Sequence, residues 1–146
     1  MIFKGENNQT VELKINGYQF PNAESGSSDS EWLNIFIDVK SNLGNWHRVD
    51  PSLTVSEFKE LIHWFKDLSV NKKVEYPELY FIEPNLEFDL TKNENMTKNI
   101  KIIFYAESKP DFSKQDQEYF VEFKFSNAEL DKISNDLEKE LKGVAS

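Results

Sequence analysis

Glu87 and Asp89 are the residues of this chain best placed to do chemistry. They stand at i and i+2 in "NLEFDL", so on a strand they share one face, opposite Leu86, Phe88 and Leu90. A carboxylate pair so placed can bind a hard cation or share an acid/base reaction. The same alternation of acid and apolar residue is what any sheet with one wet face shows. His47 and His63 are the only histidines, and each can serve as a general base. They form no HxxxH or HExxH pair, and the chain has no cysteine to complete a metal site. His47 follows Trp46 in a presumed strand, and His63 lies between Ile62 and Phe65 on a presumed helix; structural or solvent-exposed roles account for both. No GxSxG, P-loop or GxGxxG occurs, and the five glycines stand alone. Trp32, Trp46 and Trp64 read either as a platform for a sugar or base or as core and core-edge residues. The residues therefore point to no catalytic set, no metal and no cofactor.

The acids are unevenly spread. Residues 74–91 carry Glu75, Glu78, Glu83, Glu87 and Asp89 without a lysine or arginine, and residues 22–39 carry Glu24, Asp29, Glu31 and Asp38, again without one. Two such stretches are either unrelated solvated faces or a surface of negative potential that speeds encounter with a basic protein. For the second reading the contact candidates are Glu87 and Asp89, then Glu75, Glu78, Glu83, Asp29 and Glu31. The net charge of −9, from 26 acids and 17 bases, repels a polyanion, so neither a nucleic acid nor a membrane surface is an expected partner.

These side chains need a scaffold, and 146 residues with 38% hydrophobic content suffice for one domain, residues 1–146, with its own core. "MIFKGENNQT" lacks the basic start and apolar run of a signal peptide, and no stretch approaches a membrane span. With no cysteine, the expectation is a soluble cytoplasmic protein. "TVELKING" alternates as a half-buried strand, with Asn16-Gly17 reading as a hairpin turn or a bulge in one bent strand. Residues 32–50 read as a hairpin turning at "NLGN". Thr54 and Glu57 form a capping box with Leu53 and Phe58 as its staple, and Phe58, Leu61, Ile62, Phe65 and Leu68 make an apolar stripe. "ELYFIEPNLEFDLT" reads as two strands around Pro84-Asn85, where proline excludes the tight primed turn. "NIKIIFYAES" and "QEYFVEFKF" are two further strands. Ser126, Glu129, Phe125 and Leu130 repeat the helix-start signal, and Gly143 marks the stop. Strands in runs, each run followed by a helix, predict an α+β fold. Its sheet is mainly antiparallel, of about six to eight strands, with two amphipathic helices packed against it.

"INGYQFP", a polar acidic loop, "WLNIFIDV", "GNW", "PSLTVSEFKELIHWF" and "FIEPNLEFDL" follow one another across nearly the whole chain. In that order and spacing they resemble the WapI-type immunity proteins. The resemblance rests on Tyr18, Phe20 and Pro21, Trp32-Leu33, Trp46, Leu53, the helix around Glu57 to Trp64, and Glu83-Pro84-Asn85-Leu86. It implies a non-catalytic cytoplasmic protein that binds and neutralises the toxic C-terminal domain of a secreted polymorphic toxin, in the best-known case a tRNA-cleaving nuclease. The landmarks are mostly aromatic and aliphatic, so they read as scaffold and carry no binding residue with them. Residues 24–30 read as a connection, at most the rim of a partner surface. Two other readings stand beside this one: a scaffold or subunit domain with a constitutive protein partner, and a small carboxylate enzyme. Oligomeric state is not legible in the sequence.

Overall fold

The alternating stretches form strands, and the strands divide between two sheets. The computed structural model describes residues 1–144. The first sheet is an antiparallel meander of β1 (Ile2–Lys4), β2 (Thr10–Tyr18), β3 (Trp32–Ser41) and β4 (Gly44–Thr54), hydrogen-bonded in that order. Helix α1 (Val55–Ser69) follows without a break. The second sheet repeats the plan with β5 (Glu78–Leu79), β6 (Leu86–Asn93), β7 (Thr97–Phe104) and β8 (Tyr119–Ser126), again in chain order and antiparallel, and then α2 (Asn127–Lys142). The α+β class and the two helices are as the periodicity predicts. The described residues form eight strands, split evenly between the sheets, and the repeat lies in topology rather than in residue identity.

Local chemistry explains the boundaries. Both helices open on complete capping boxes, Thr54 with Glu57 and Ser126 with Glu129, which satisfy N–H groups that the first turn leaves without partners. Both staples, Leu53 with Phe58 and Phe125 with Leu130, are buried. Asn16-Gly17 is a bulge: β2 runs on to Tyr18, its register against β3 shifts between Ile15 and Tyr18, and Gly17 has a φ of 86°, which a Cβ would disfavour. Strand β4 extends past Asp50 to Thr54 because Pro51 sits at a second register shift on an edge strand, where its missing N–H costs no ladder bond.

The inner faces of the two sheets meet in one hydrophobic cluster that also takes residues from both helices. Phe3 is fully buried there. Its ring centroid lies 5.8 Å from Phe65 of α1, 6.2 Å from Phe88 of β6, and 6.0 and 6.4 Å from Phe123 and Phe125 of β8. At the other end of β8, Trp46 of β4 meets Phe104 and Tyr119 edge-on at 5.4 and 6.0 Å, and its indole N–H donates to the Ser108 carbonyl at 2.8 Å. Trp64 is buried too, donating to the Tyr76 carbonyl at 2.8 Å, while Trp32 is half-buried. Two of the three tryptophans therefore belong to the core. No helix among the described residues is long and apolar enough to cross a membrane.

Phe3→Ala should therefore cost about 3–5 kcal/mol of unfolding free energy, and Phe3→Leu about 1 kcal/mol. Urea denaturation midpoints test this; an alanine variant within experimental error of the parent would show that the ring is not what joins the sheets.

Candidate functional site

The outer face of the second sheet carries a row of side chains across all four strands. Register places Glu78 of β5 opposite Asp89 of β6, Asp89 opposite Lys101 of β7, and Lys101 opposite Glu122 of β8. The next row runs Glu87, Ile103 and Phe120. Acids directly opposite one another in a sheet repel, and a carboxyl beside isoleucine and phenylalanine loses water. Glu87 is not on a wet face: it is only 8% exposed, and Ile103 beside it only 3%.

That burial raises the Glu87 pKa, and a hydrogen bond with Asp89 and the charges of Asp89, Glu78 and Glu118 raise it further, to about 8. Glu87 therefore holds its proton near neutrality. One oxygen of Asp89, Oδ1, is buried and accepts from no N–H or hydroxyl among the described residues, which leaves the Glu87 carboxyl as its neighbour. Lys101 stands across from Asp89 but turns to Glu118, 2.5 Å away, and lies 4.2 Å over the Phe120 ring. The Tyr80 hydroxyl donates to Glu78 at 2.5 Å, and this bond, with the nearby acids, pushes the phenol up to about 12. Burial, then the charges of Glu87, Glu118, Asp89 and Glu78, raises Tyr105 as well. A recess of about 350 Å³ opens beside Glu87 between Tyr80, Pro84, Leu86 and Tyr105.

The loop that frames this recess is held firmly. "ELYFI" does not continue as a strand beyond Leu79. Instead the Ile82 N–H donates to Glu57 Oε2 at 2.8 Å, while Oε1 of the same carboxylate caps α1. Asn85, 1% exposed, donates to Asp50 Oδ2 at 2.8 Å and Ser52 Oγ at 2.9 Å. Its side-chain oxygen accepts from the Glu107 N–H at 3.3 Å and its carbonyl from the Tyr105 N–H at 2.9 Å. Anchored at both ends, the loop displays Tyr80 (61% exposed) and Ile82 (74% exposed).

Of the sequence candidates, Glu78, Glu87 and Asp89 come together. Glu75 joins a neighbouring acidic group instead: burial and the charges of Glu57 and Glu75 raise Glu60, and Glu75 accepts the Tyr76 hydroxyl. Glu83 is exposed in the loop before Asn85. Asp29 and Glu31 lie in the short 3-10 turn Ser28–Glu31 ahead of β3, with Glu31 3.5 Å from Ser56 on the first turn of α1 and Asp29 beside Phe20 and Pro21. Both histidines are exposed. Glu118, Tyr80, Tyr105 and Lys101 escaped the sequence reading. Register brings in Lys101, while Tyr80, Tyr105 and Glu118 flank the ends of β5, β7 and β8. Alternation in "KIIFY" and "EYFVEF" was the only local signal for Lys101, Tyr105 and Glu118.

With this geometry in view, the comparison with known families decides the lineage. A profile of the immunity protein WapI-like family matches residues 1–144. The chain belongs to that family. No curated protein and no solved structure matches it. Family membership supports an immunity role, and an immunity protein works through a protein partner. In this WapI-like chain the resemblance landmarks divide: Leu33, Trp46, Leu53, Trp64 and Leu86 are core and Asn85 is a buried clamp, whereas Phe20, Pro21, Glu83 and Pro84 are exposed and Tyr18 and Trp32 are half-buried.

The raised Glu87 pKa has a testable sign. The folded chain keeps a proton that an ordinary glutamate releases near 4.5 and Glu87 releases near 8, so stability falls as pH rises through that window. Glu87→Gln keeps the neutral shape and should flatten the fall. Glu60, shifted the same way, adds a slope of its own, so the measure is the difference between the two proteins' denaturation midpoints at pH 5 to 8. Identical slopes would place the bound proton elsewhere.

Proposed function

We propose that this chain is a cytoplasmic immunity protein that binds the toxic C-terminal domain of a secreted polymorphic toxin and blocks it without chemistry of its own. Family membership over residues 1–144 carries the immunity role. The place of contact is drawn from one observation: large side chains with apolar surface stand in water beside acids that have no lysine or arginine partner among the described residues. Tyr76, Tyr80 and Ile82 are all more than half exposed, on the two segments that flank β5: Tyr76 follows Glu75 ahead of Glu78, and Tyr80 and Ile82 precede Glu83, with Tyr80 beside Glu87. Exposed aromatics bordered by polar groups are the usual anchors of an interface. Acids around them suit a basic partner, and a toxin domain that cleaves tRNA is basic where it holds its substrate. An interface of roughly 1,200–2,000 Å² centred here would exclude that substrate. Asp29 and Glu31 belong to the proposal only as rim residues.

The half-protonated Glu87–Asp89 pair is also what general acid catalysis needs, and this second reading separates from the first by stoichiometry. A binding protein protects one for one; an enzyme protects at a small fraction of the toxin.

Co-expression with the toxin domain encoded beside this gene tests the proposal. The parent should protect at one equivalent. Tyr80→Ala with Ile82→Ala should weaken toxin binding by about 2–4 kcal/mol, on the order of a hundredfold in Kd, while leaving the urea midpoint in place. Toxin bound equally well by that double variant would move the interface to another face, and cells killed despite the parent would end the reading for that toxin.

A further inference from the structure

The partner-binding reading leaves one question about this face: why it holds acids that lack donors. Glu87 is more than nine-tenths buried, and its carboxyl meets no donor beyond the proton it shares with Asp89. Asp89 Oδ1 is buried and takes no N–H or hydroxyl donor among the described residues. The chain has groups that could have satisfied them, and each is engaged elsewhere. Lys101 is paired with Glu118, and the Tyr80 hydroxyl is given to Glu78. Buried acceptors without donors are disfavoured unless a ligand completes them.

We propose that Glu87, Asp89 and the adjoining recess form a socket for one arginine side chain of the protein partner. The inference rests on the partner-binding reading and names the chemistry the partner must bring. Carboxyls at i and i+2 on a strand offer acceptors to a guanidinium, whose five donors lie in a planar fork. The walls supplied by Tyr80, Pro84, Leu86 and Tyr105 suit its methylenes and its flat face, which stacks on aromatic rings and gives up water more readily than an ammonium. Among the described residues no three His, Asp or Glu side chains are arranged to hold a metal ion, so a forked organic cation fits better than a hard one.

Proton balance follows from the groups that face the site: Glu78 of β5 and Tyr80 just after it, Asp89 on β6, Lys101 of β7 and Tyr105 just after it, and Glu118 just ahead of β8 with Glu122 on it. The guanidinium stays charged, so an entering arginine drives the Glu87 proton into solvent. Below about pH 8, binding therefore releases up to one proton and tightens by up to about tenfold per pH unit.

N-acetyl-arginine amide, titrated into the full chain and followed by NMR of the side-chain carboxyl carbons and tyrosine rings, is the direct probe. It should move the signals of Glu87, Asp89, Tyr80 and Tyr105, bind more tightly at pH 8 than at pH 6, outcompete N-acetyl-lysine amide, and lower the Glu87 titration. Glu87→Gln and Asp89→Asn should each weaken it about tenfold, and Glu87→Gln should also remove the pH dependence. Shifts confined to other acids, or unchanged binding in both variants, overturn the socket. The toxin experiment separates the two levels. Protection by the parent with a silent probe removes the socket and keeps the immunity reading. Probe binding at Glu87 without protection keeps the cation socket and removes that reading.

Discussion

The ring of Phe3 is the constraint on which the rest of the molecule depends. The two sheets are separate ladders, so backbone hydrogen bonds do not join them and side chains must. Phe3 sits on a strand of three residues, too short to hold itself by its ladder, yet its ring reaches α1, β6 and β8 together. Tilted aromatic contacts of this kind each add about 0.5–1.5 kcal/mol beyond the area they bury. Trp46 makes the matching clasp at the start of β8. Strand β8 is thus gripped at both ends by residues of the other sheet, and the inner face of the second sheet is fixed.

A fixed inner face is what lets the outer face be unfavourable. Glu78 faces Asp89 across a ladder, and Glu87 lies against Ile103; left to local energetics, these side chains would part. Asn85 and Glu57 prevent that by pinning the intervening loop to β4 and α1. Glu57 uses one oxygen to start a helix and the other to hold Ile82, so a single carboxylate couples helix initiation to the display of the loop. Local rules broken in a well-supported place are a common mark of function.

The legible parts of the fold were those governed by neighbours in sequence. Capping boxes at Thr54 and Ser126, the alternation in β3, and the stripe from Phe58 to Leu68 are short-range patterns, and they mark both helices and most strands. Alternation also places Glu87 and Asp89 on one face. It cannot say what covers that face, because Ile103, Tyr105 and Glu118 arrive through pairings with residues far along the chain. A solvated acid and a buried one look alike in "LEFDL". For the same reason the two sheets were not separable, since division depends on which strands fail to pair. The loop after Leu79 reads as strand because Tyr80, Phe81 and Ile82 have strand propensity; tertiary hydrogen bonds from Ile82 and Asn85 override it. Asp29 and Glu31 shared the composition of the other acids but lie in the turn before β3, which composition alone does not reveal.

The meander order has a consequence for synthesis. Every ladder joins strands adjacent in the chain, so a nascent polypeptide can pair all of β1 to β4 and cap α1 before β5 leaves the ribosome. The ring of Phe3, however, waits for Phe123 and Phe125. At 5–20 residues per second, that delay is on the order of ten seconds. Through it α1, with Phe65 against Phe3, is all that covers the apolar side of the first sheet, and the face that the second sheet will take stays open to water until translation nears its end.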